Sequence, residues 1–275
     1  MVQARLRIDE AFPRIFERAY PVLDPKTPMI SVLPLLRFHE IDALPLSFDS
    51  NGNQRGIFGF SCLARILTLG PEKFSSFMER PCEDVSEPLA TVQARSGLAR
   101  LLDTYLEARF GFARVVERRG VGALLSLDDT LRLFDERVID SALEIAEVAS
   151  EVFSLPMETT LREALDEMFA RRYRRVFVRG TKEFIWDRGI IEHLFSPAVL
   201  ARVAQDPSAD PLGIPISGLT RTKAKEAEPS MTLSQAAKAL GNERGQCLVF
   251  DGKVVTPWDV VMKPWKTKRL KIRTN

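Results

Sequence analysis

Gly252-Lys-Val-Val-Thr-Pro-Trp-Asp259 compresses the end of a strand, a turn and the start of a helix into eight residues. Val254 and Val255 are β-branched and favour an extended chain. Thr256, Pro257 and Asp259 then take the N-cap, N1 and N3 positions of a helix running through Val260, Val261 and Met262. A helix start offers unpaired N–H groups and a partial positive charge to an anion. A carboxylate at N3 that is not consumed by capping can also hold the paired hydroxyls of a sugar. The same residues are equally a capping box, which starts ordinary helices.

Recurrence separates this stretch from an ordinary cap. Ser126-Leu-Asp-Asp129, preceded by Gly122-Ala-Leu-Leu125 and followed by Thr130-Leu-Arg-Leu-Phe134, repeats the strand, turn and helix pattern. Gly56 to Ile66 and Glu183 to Phe195 repeat it twice more. The equivalent last positions, Cys62, Asp129, Gly189 and Asp259, lie 67, 60 and 70 residues apart. Four units of near-equal length fill the chain.

These four units resemble CBS motifs, in two tandem pairs, similar to archaeal stand-alone CBS proteins and to the gamma subunit of AMP-activated protein kinase. The family signature is Gly, two apolar residues, Ser or Thr, two variable residues and Asp. Ser126/Asp129 and Thr256/Asp259 match it, whereas Gly59/Cys62 and Trp186/Gly189 do not. The resemblance implies an α+β fold of four βαββα units packed as two pairs. Their division along the chain is 1–135, a connecting helix over 136–150, and 151–275 with a basic C-terminal tail.

The resemblance further implies that adenine nucleotides (AMP, ADP or ATP) bind in clefts between units, one per pair, with S-adenosylmethionine as runner-up. Asp129 and Asp259 would hold ribose hydroxyls, with Ser126 and Thr256 beside the sugar or phosphate. The family draws basic phosphate contacts from the strand before the hairpin, where Arg114, Arg174 and Arg175 stand. By that count the Asp259 site, facing Arg174 and Arg175, is the stronger one for a phosphorylated ligand. Cys62 and Gly189 cannot accept from two ribose hydroxyls, and Trp186 fills cleft space or stacks an adenine.

The composition bounds the alternatives. The chain has 275 residues, enough for one large domain or two ordinary ones. With 39 basic and 37 acidic side chains, nothing in the overall balance draws it to nucleic acid or membrane. No stretch approaches the roughly 20 apolar residues needed to span a bilayer, and the start lacks a signal-peptide run. A cytoplasmic location is expected. Cys62, Cys82 and Cys247 fit neither a disulfide framework nor a zinc site and read as apolar fillers. Asn is confined to positions 51, 53, 242 and 275 while Arg abounds, a composition that suggests a heat-adapted organism, and the resemblance implies an archaeal one.

In chain order, residues 1 to 20 predict a short helix on the first repeat. Met29 to Phe38 is a helix, Ala43 to Phe48 a strand, and Asp49 to Asn53 a hairpin turn. Leu98, Leu101, Leu102, Tyr105 and Leu106 form a helical stripe ahead of the strand Phe112 to Val116. Arg118-Arg-Gly-Val-Gly122 serves a tight turn rather than a dinucleotide fingerprint. Thr160 and Glu163 cap a helix, Val176 to Val178 is a strand, and residues 206 to 218 are a loop. Leu233, Ala236, Ala237 and Leu240 face a core, and Asp251-Gly252 turns a hairpin.

Enzyme signals are poor. His39 and His193 have no ligand-spaced partners, and no nucleophile elbow, P-loop or zincin motif is present. The expected function is non-catalytic: a regulatory module that reports bound nucleotide to a protein effector, with homodimerisation in view. The competing class is a nucleic-acid-binding regulator using Arg171 to Arg175 and the tail Lys263 to Arg273. A scaffold with degenerate clefts is the third.

Overall fold

The computed structural model describes residues 6–17, 20–38, 43–47, 54–70, 73–108, 111–117 and 122–273. His39, the 49–53 turn and residues 118–121 lie outside the described residues. Each repeat has the same order. A lead-in strand runs parallel to a middle strand, and a hairpin then returns antiparallel into a helix. In the second repeat Thr91–Gln93 runs parallel to Phe112–Val116, which pairs antiparallel with Gly122–Ser126 ahead of the helix Leu127–Asp135. In the fourth, Lys225–Glu226, Leu248–Phe250 and Lys253–Val255 precede the helix Pro257–Lys266. Its hairpin turns through Asp251 at φ 44° and Gly252 at φ 74°, with Phe250 opposite Lys253. Two positive φ values in a two-residue loop match the right-handed twist of the flanking strands, and Asp and Gly adopt them at least cost. The third repeat uses Ser154–Leu155, Arg175–Val178 and Glu183–Trp186, and the first uses Ala43–Pro45 and Arg55–Phe58. This is the α+β architecture the sequence implies.

The chain divides into two compact units. Unit 1 comprises residues 1–19, 90–152 and 224–275, and unit 2 comprises 20–89 and 153–223. Each unit therefore unites alternate repeats, second with fourth and first with third. The division at 1–135 and 151–275 expected from the sequence is not the one these units follow. A lone repeat has a helical face that its own sheet leaves uncovered, and within each unit another repeat supplies the cover. In unit 1 the helices Leu127–Asp135, Leu233–Gly241 and Pro257–Lys266 pack together, burying Leu131, Phe134, Ala236, Ala237, Leu240, Val260 and Val261. In unit 2, Leu63, Ile66, Leu165, Met168, Ile190 and Leu194 share one core. Each Leu, Ile, Val, Met or Phe among these contributes about 1.5–3 kcal/mol by leaving water, and the alanines less.

Three local expectations are corrected. Residues 136–150 form no connecting helix. Ile139–Asp140 pairs with Lys271–Ile272, Ile145–Glu147 is one tight turn, and Ser150–Glu151 pairs with Lys253–Val254. Tertiary strand pairing outweighs the helical spacing there. The helix at the start is Ile8–Ala11, and it docks on the second repeat rather than the first. Ile8 N–H donates to Ser96 O at 2.9 Å, and Leu98 N–H to Leu6 O at 2.8 Å. The basic C-terminal stretch is folded too: Lys263 and Lys266 lie in a helix, Leu270 is buried, and Lys271–Ile272 is a strand.

Candidate functional site

Both intact motifs belong to unit 1. Ser126 caps the helix Leu127–Asp135 from extended backbone, and its Oγ accepts from Asp129 N–H at 3.3 Å. Asp129 Oδ2 in return accepts from Ser126 N–H at 2.9 Å and from Ser126 Oγ–H at 2.8 Å. The fourth repeat does the same. Asp259 Oδ2 accepts from Thr256 N–H at 2.8 Å and Thr256 Oγ1–H at 2.7 Å, with Pro257 at N1. A carboxylate at N3 reaches back because this satisfies two orphan donors of the N-cap residue at once. The expectation that both carboxylates stand wholly clear of their caps is therefore corrected. One oxygen of each is a cap.

The second oxygens meet different surroundings. Asp129 Oδ1 lies 4.0 Å from an Arg244 guanidinium nitrogen, and Arg244 comes from the turn after the helix Leu233–Gly241. Asp259 Oδ1 accepts from Lys263 Nζ at 2.8 Å and from Ser150 Oγ at 3.1 Å. The Asp side chains are only 5% and 6% exposed, whereas Arg244 and Lys263 are 34% and 37% exposed, so water partly screens these pairs. Each helix mouth thus sets a buried carboxylate, which accepts hydrogen bonds from hydroxyls, beside a cation. Lys263 carries a local signal, its i,i+4 spacing from Asp259. Arg244 carries none, because only folding brings it to Asp129.

Arg114 sits buried on the middle strand Phe112–Val116, as expected from its position before the hairpin. Its guanidinium lies across Gly122: a Cβ there would fall 2.5 Å from Arg114 Nε and 2.7 Å from Cζ. Glycine at 122 is thus what gives the side chain its room.

Arg174 and Arg175 belong to unit 2, where each is engaged. Arg174 Nε donates to Asp187 Oδ2 at 2.7 Å, and the Arg175 guanidinium lies 6.0 Å from the Trp186 ring centre. Arg188 approaches the same ring at 5.8 Å. A Cβ on Gly189 would meet Trp186 Cδ1 at 3.4 Å. The indole thus lies in van der Waals contact with the place where a side chain at 189 would start. In the first repeat Cys62 is 1% exposed, and burial pushes its thiol up to about 12. All three cysteines are buried and free, as fillers should be.

The arginine run and the basic tail are largely paired. Arg171 bonds Glu167 at 2.8 Å, Arg269 bonds Glu147 at 2.9 Å and Arg273 bonds Asp140 at 2.6 Å. Among the described residues no cluster of His, Cys, Asp or Glu could hold a metal ion, and no helix is long and apolar enough to cross a membrane.

No family model and no curated protein matches the chain. Solved structures do. A Methanocaldococcus jannaschii protein described as a proposed archaeal homologue of g-AMPK aligns with a TM-score of 0.79 at 15% identity, covering 94% of this chain and 99% of its own. Partial matches include a CBS domain-containing protein of unknown function from Bacillus anthracis, with a TM-score of 0.39 at 16% identity over 48% of this chain and 95% of its own. A CBS domain protein from Pyrobaculum aerophilum complexed with AMP aligns over 45% of this chain and 89% of its own, with a TM-score of 0.35 at 14% identity. The chain has the CBS-domain fold along nearly its whole length.

Proposed function

We propose that this protein is a non-catalytic regulatory module that binds adenine nucleotides at the helix mouths marked by Ser126/Asp129 and Thr256/Asp259 and passes the ligand state to a protein effector. The single observation that carries this reading is shared by both motifs. One carboxylate oxygen completes the cap, while the other faces a cationic side chain, Arg244 or Lys263. A nucleoside phosphate asks for acceptors for its ribose hydroxyls and for positive charge near its phosphate. Arg114, Arg174 and Arg175 are proposed as further phosphate contacts.

The ligand acts by selection. A nucleotide that fits one conformation of the module better than another shifts the population toward it, and the effector reads that shift. AMP, ADP and ATP differ in the charge they bring to Arg244 and the other arginines, whereas S-adenosylmethionine lacks a phosphate. Thermal melting with each of the four, alongside a mass spectrum of what co-purifies with the protein, tests the reading. A nucleotide-specific rise in Tm supports it, and no shift with any adenosine compound leaves only a repeat-built scaffold.

A further inference from the structure

Resting on the nucleotide reading, we infer that Lys263 is a displaceable internal counter-ion that locks the Asp259 helix mouth and ties its occupancy to the chain segment 148–152. An ammonium group has three N–H donors, and here all three are spent inside unit 1. Lys263 Nζ donates to Asp259 Oδ1 at 2.8 Å, to Ser150 Oγ at 2.8 Å and to Val148 O at 2.5 Å. Ser150 Oγ donates in turn to the same Asp259 oxygen at 3.1 Å, closing a three-membered ring of contacts. With Thr256 on Oδ2, both oxygens of Asp259 are occupied.

A ribose that binds through Asp259 must therefore take Oδ1 from Lys263 and Ser150. The lysine can yield: its side chain is 37% exposed, on a flexible stem that reaches water without repacking the core. Its release has a structural consequence. The strand Ser150–Glu151 is two residues long and is held by Lys253–Val254 on one side, by Val152 N–H to Gly252 O at 2.9 Å, and by Lys263 through Ser150 Oγ and the preceding Val148 O. The chain leaves unit 1 immediately afterwards, at residues 152 and 153. Freeing Lys263 loosens this exit segment, so an event at the Asp259 mouth is felt where one unit hands the chain to the other. Linkage makes the coupling reciprocal: whatever holds 148–152 in place also weakens binding at Asp259.

The test isolates this mouth in an Asp129→Asn background, where the amide oxygen still caps its helix. AMP is titrated by calorimetry into Asp129→Asn and into Asp129→Asn/Lys263→Met. The inference predicts binding at least about tenfold tighter without the lysine, because the ligand no longer displaces it. That gain is lost again on adding Asp259→Asn. Equal or weaker binding without the lysine overturns the displacement, since Lys263 would then be neutral or a ligand contact. Hydrogen exchange without nucleotide reads the lock by itself. Lys263→Met should raise amide exchange at 149–152 several-fold, and unchanged exchange overturns the tie to the segment. If AMP binds neither variant while exchange still rises, the nucleotide reading of this mouth and its coupling both fail, and only a structural clamp stands.

Discussion

Asp259 presents Oδ2 to the Thr256 amide at 2.8 Å and Oδ1 to Lys263 Nζ, one helical turn further on, also at 2.8 Å. A single buried carboxylate thereby ends a strand, starts a helix and neutralises a lysine. In Asp129 the capping half is the same, but Arg244 stands back at 4.0 Å from the other oxygen. Two copies of one motif have thus been given different counter-ions by the fold around them.

The contact of Arg114 with Gly122 is open to a double-mutant cycle. Gly122→Ala puts a methyl 2.5 Å from Arg114 Nε and forces the guanidinium aside. The cost expected in chemical denaturation is about 1–3 kcal/mol, as for other overpacked sites. It should shrink to a few tenths of a kcal/mol in an Arg114→Ala background, where nothing occupies the space. Equal costs in both backgrounds would place the penalty in the strand itself.

The interleaving of repeats makes a prediction about fragments. Cutting between 140 and 141 separates the second repeat from the fourth and the first from the third, so each half carries one helical face of each unit without its cover. Neither half alone should melt cooperatively, and mixing the two should restore a cooperative transition. Cooperative melting of each half alone would favour chain-order halves as the folding units.

The folded tail distinguishes packing from charge. Removing residues 268–275 strips the strand Lys271–Ile272 from Ile139–Asp140 and uncovers the site of buried Leu270, lowering Tm. Arg269→Ala and Arg273→Ala should each cost under about 1 kcal/mol, because their ion pairs are exposed. The hydrogen bond from Arg273 holds the Asp140 carboxyl below its ordinary value. Its small contribution is therefore present above about pH 4, the unfolded value, and is lost as pH falls through the folded one. Salt-steep duplex binding that vanishes with the tail would instead support the nucleic-acid alternative.

What the sequence made legible was local. The caps Ser126/Asp129, Thr256/Asp259 and Thr160/Glu163 were readable because each partner lies three residues away, and the Asp251-Gly252 hairpin because its residues tolerate positive φ. What escaped was non-local. The stripe of Leu127–Asp135 announces an apolar partner without saying that the fourth repeat supplies it. Residues 136–150 have helical spacing, yet two distant strands recruit them. Arg244 reaches Asp129 only after two repeats have packed. The i,i+4 spacing of Lys263 from Asp259 is local, while its acceptors on Val148 and Ser150 are not.

The most direct test is calorimetric titration of AMP into the wild-type protein, Asp129→Asn, Asp259→Asn and the double variant, the asparagines retaining an oxygen for each cap. Saturable binding to the wild type that the double variant abolishes, with its circular dichroism unchanged, is the result predicted. Absence of binding by AMP, ADP and ATP alike, or binding that survives both substitutions intact, would contradict the assignment of these two helix mouths.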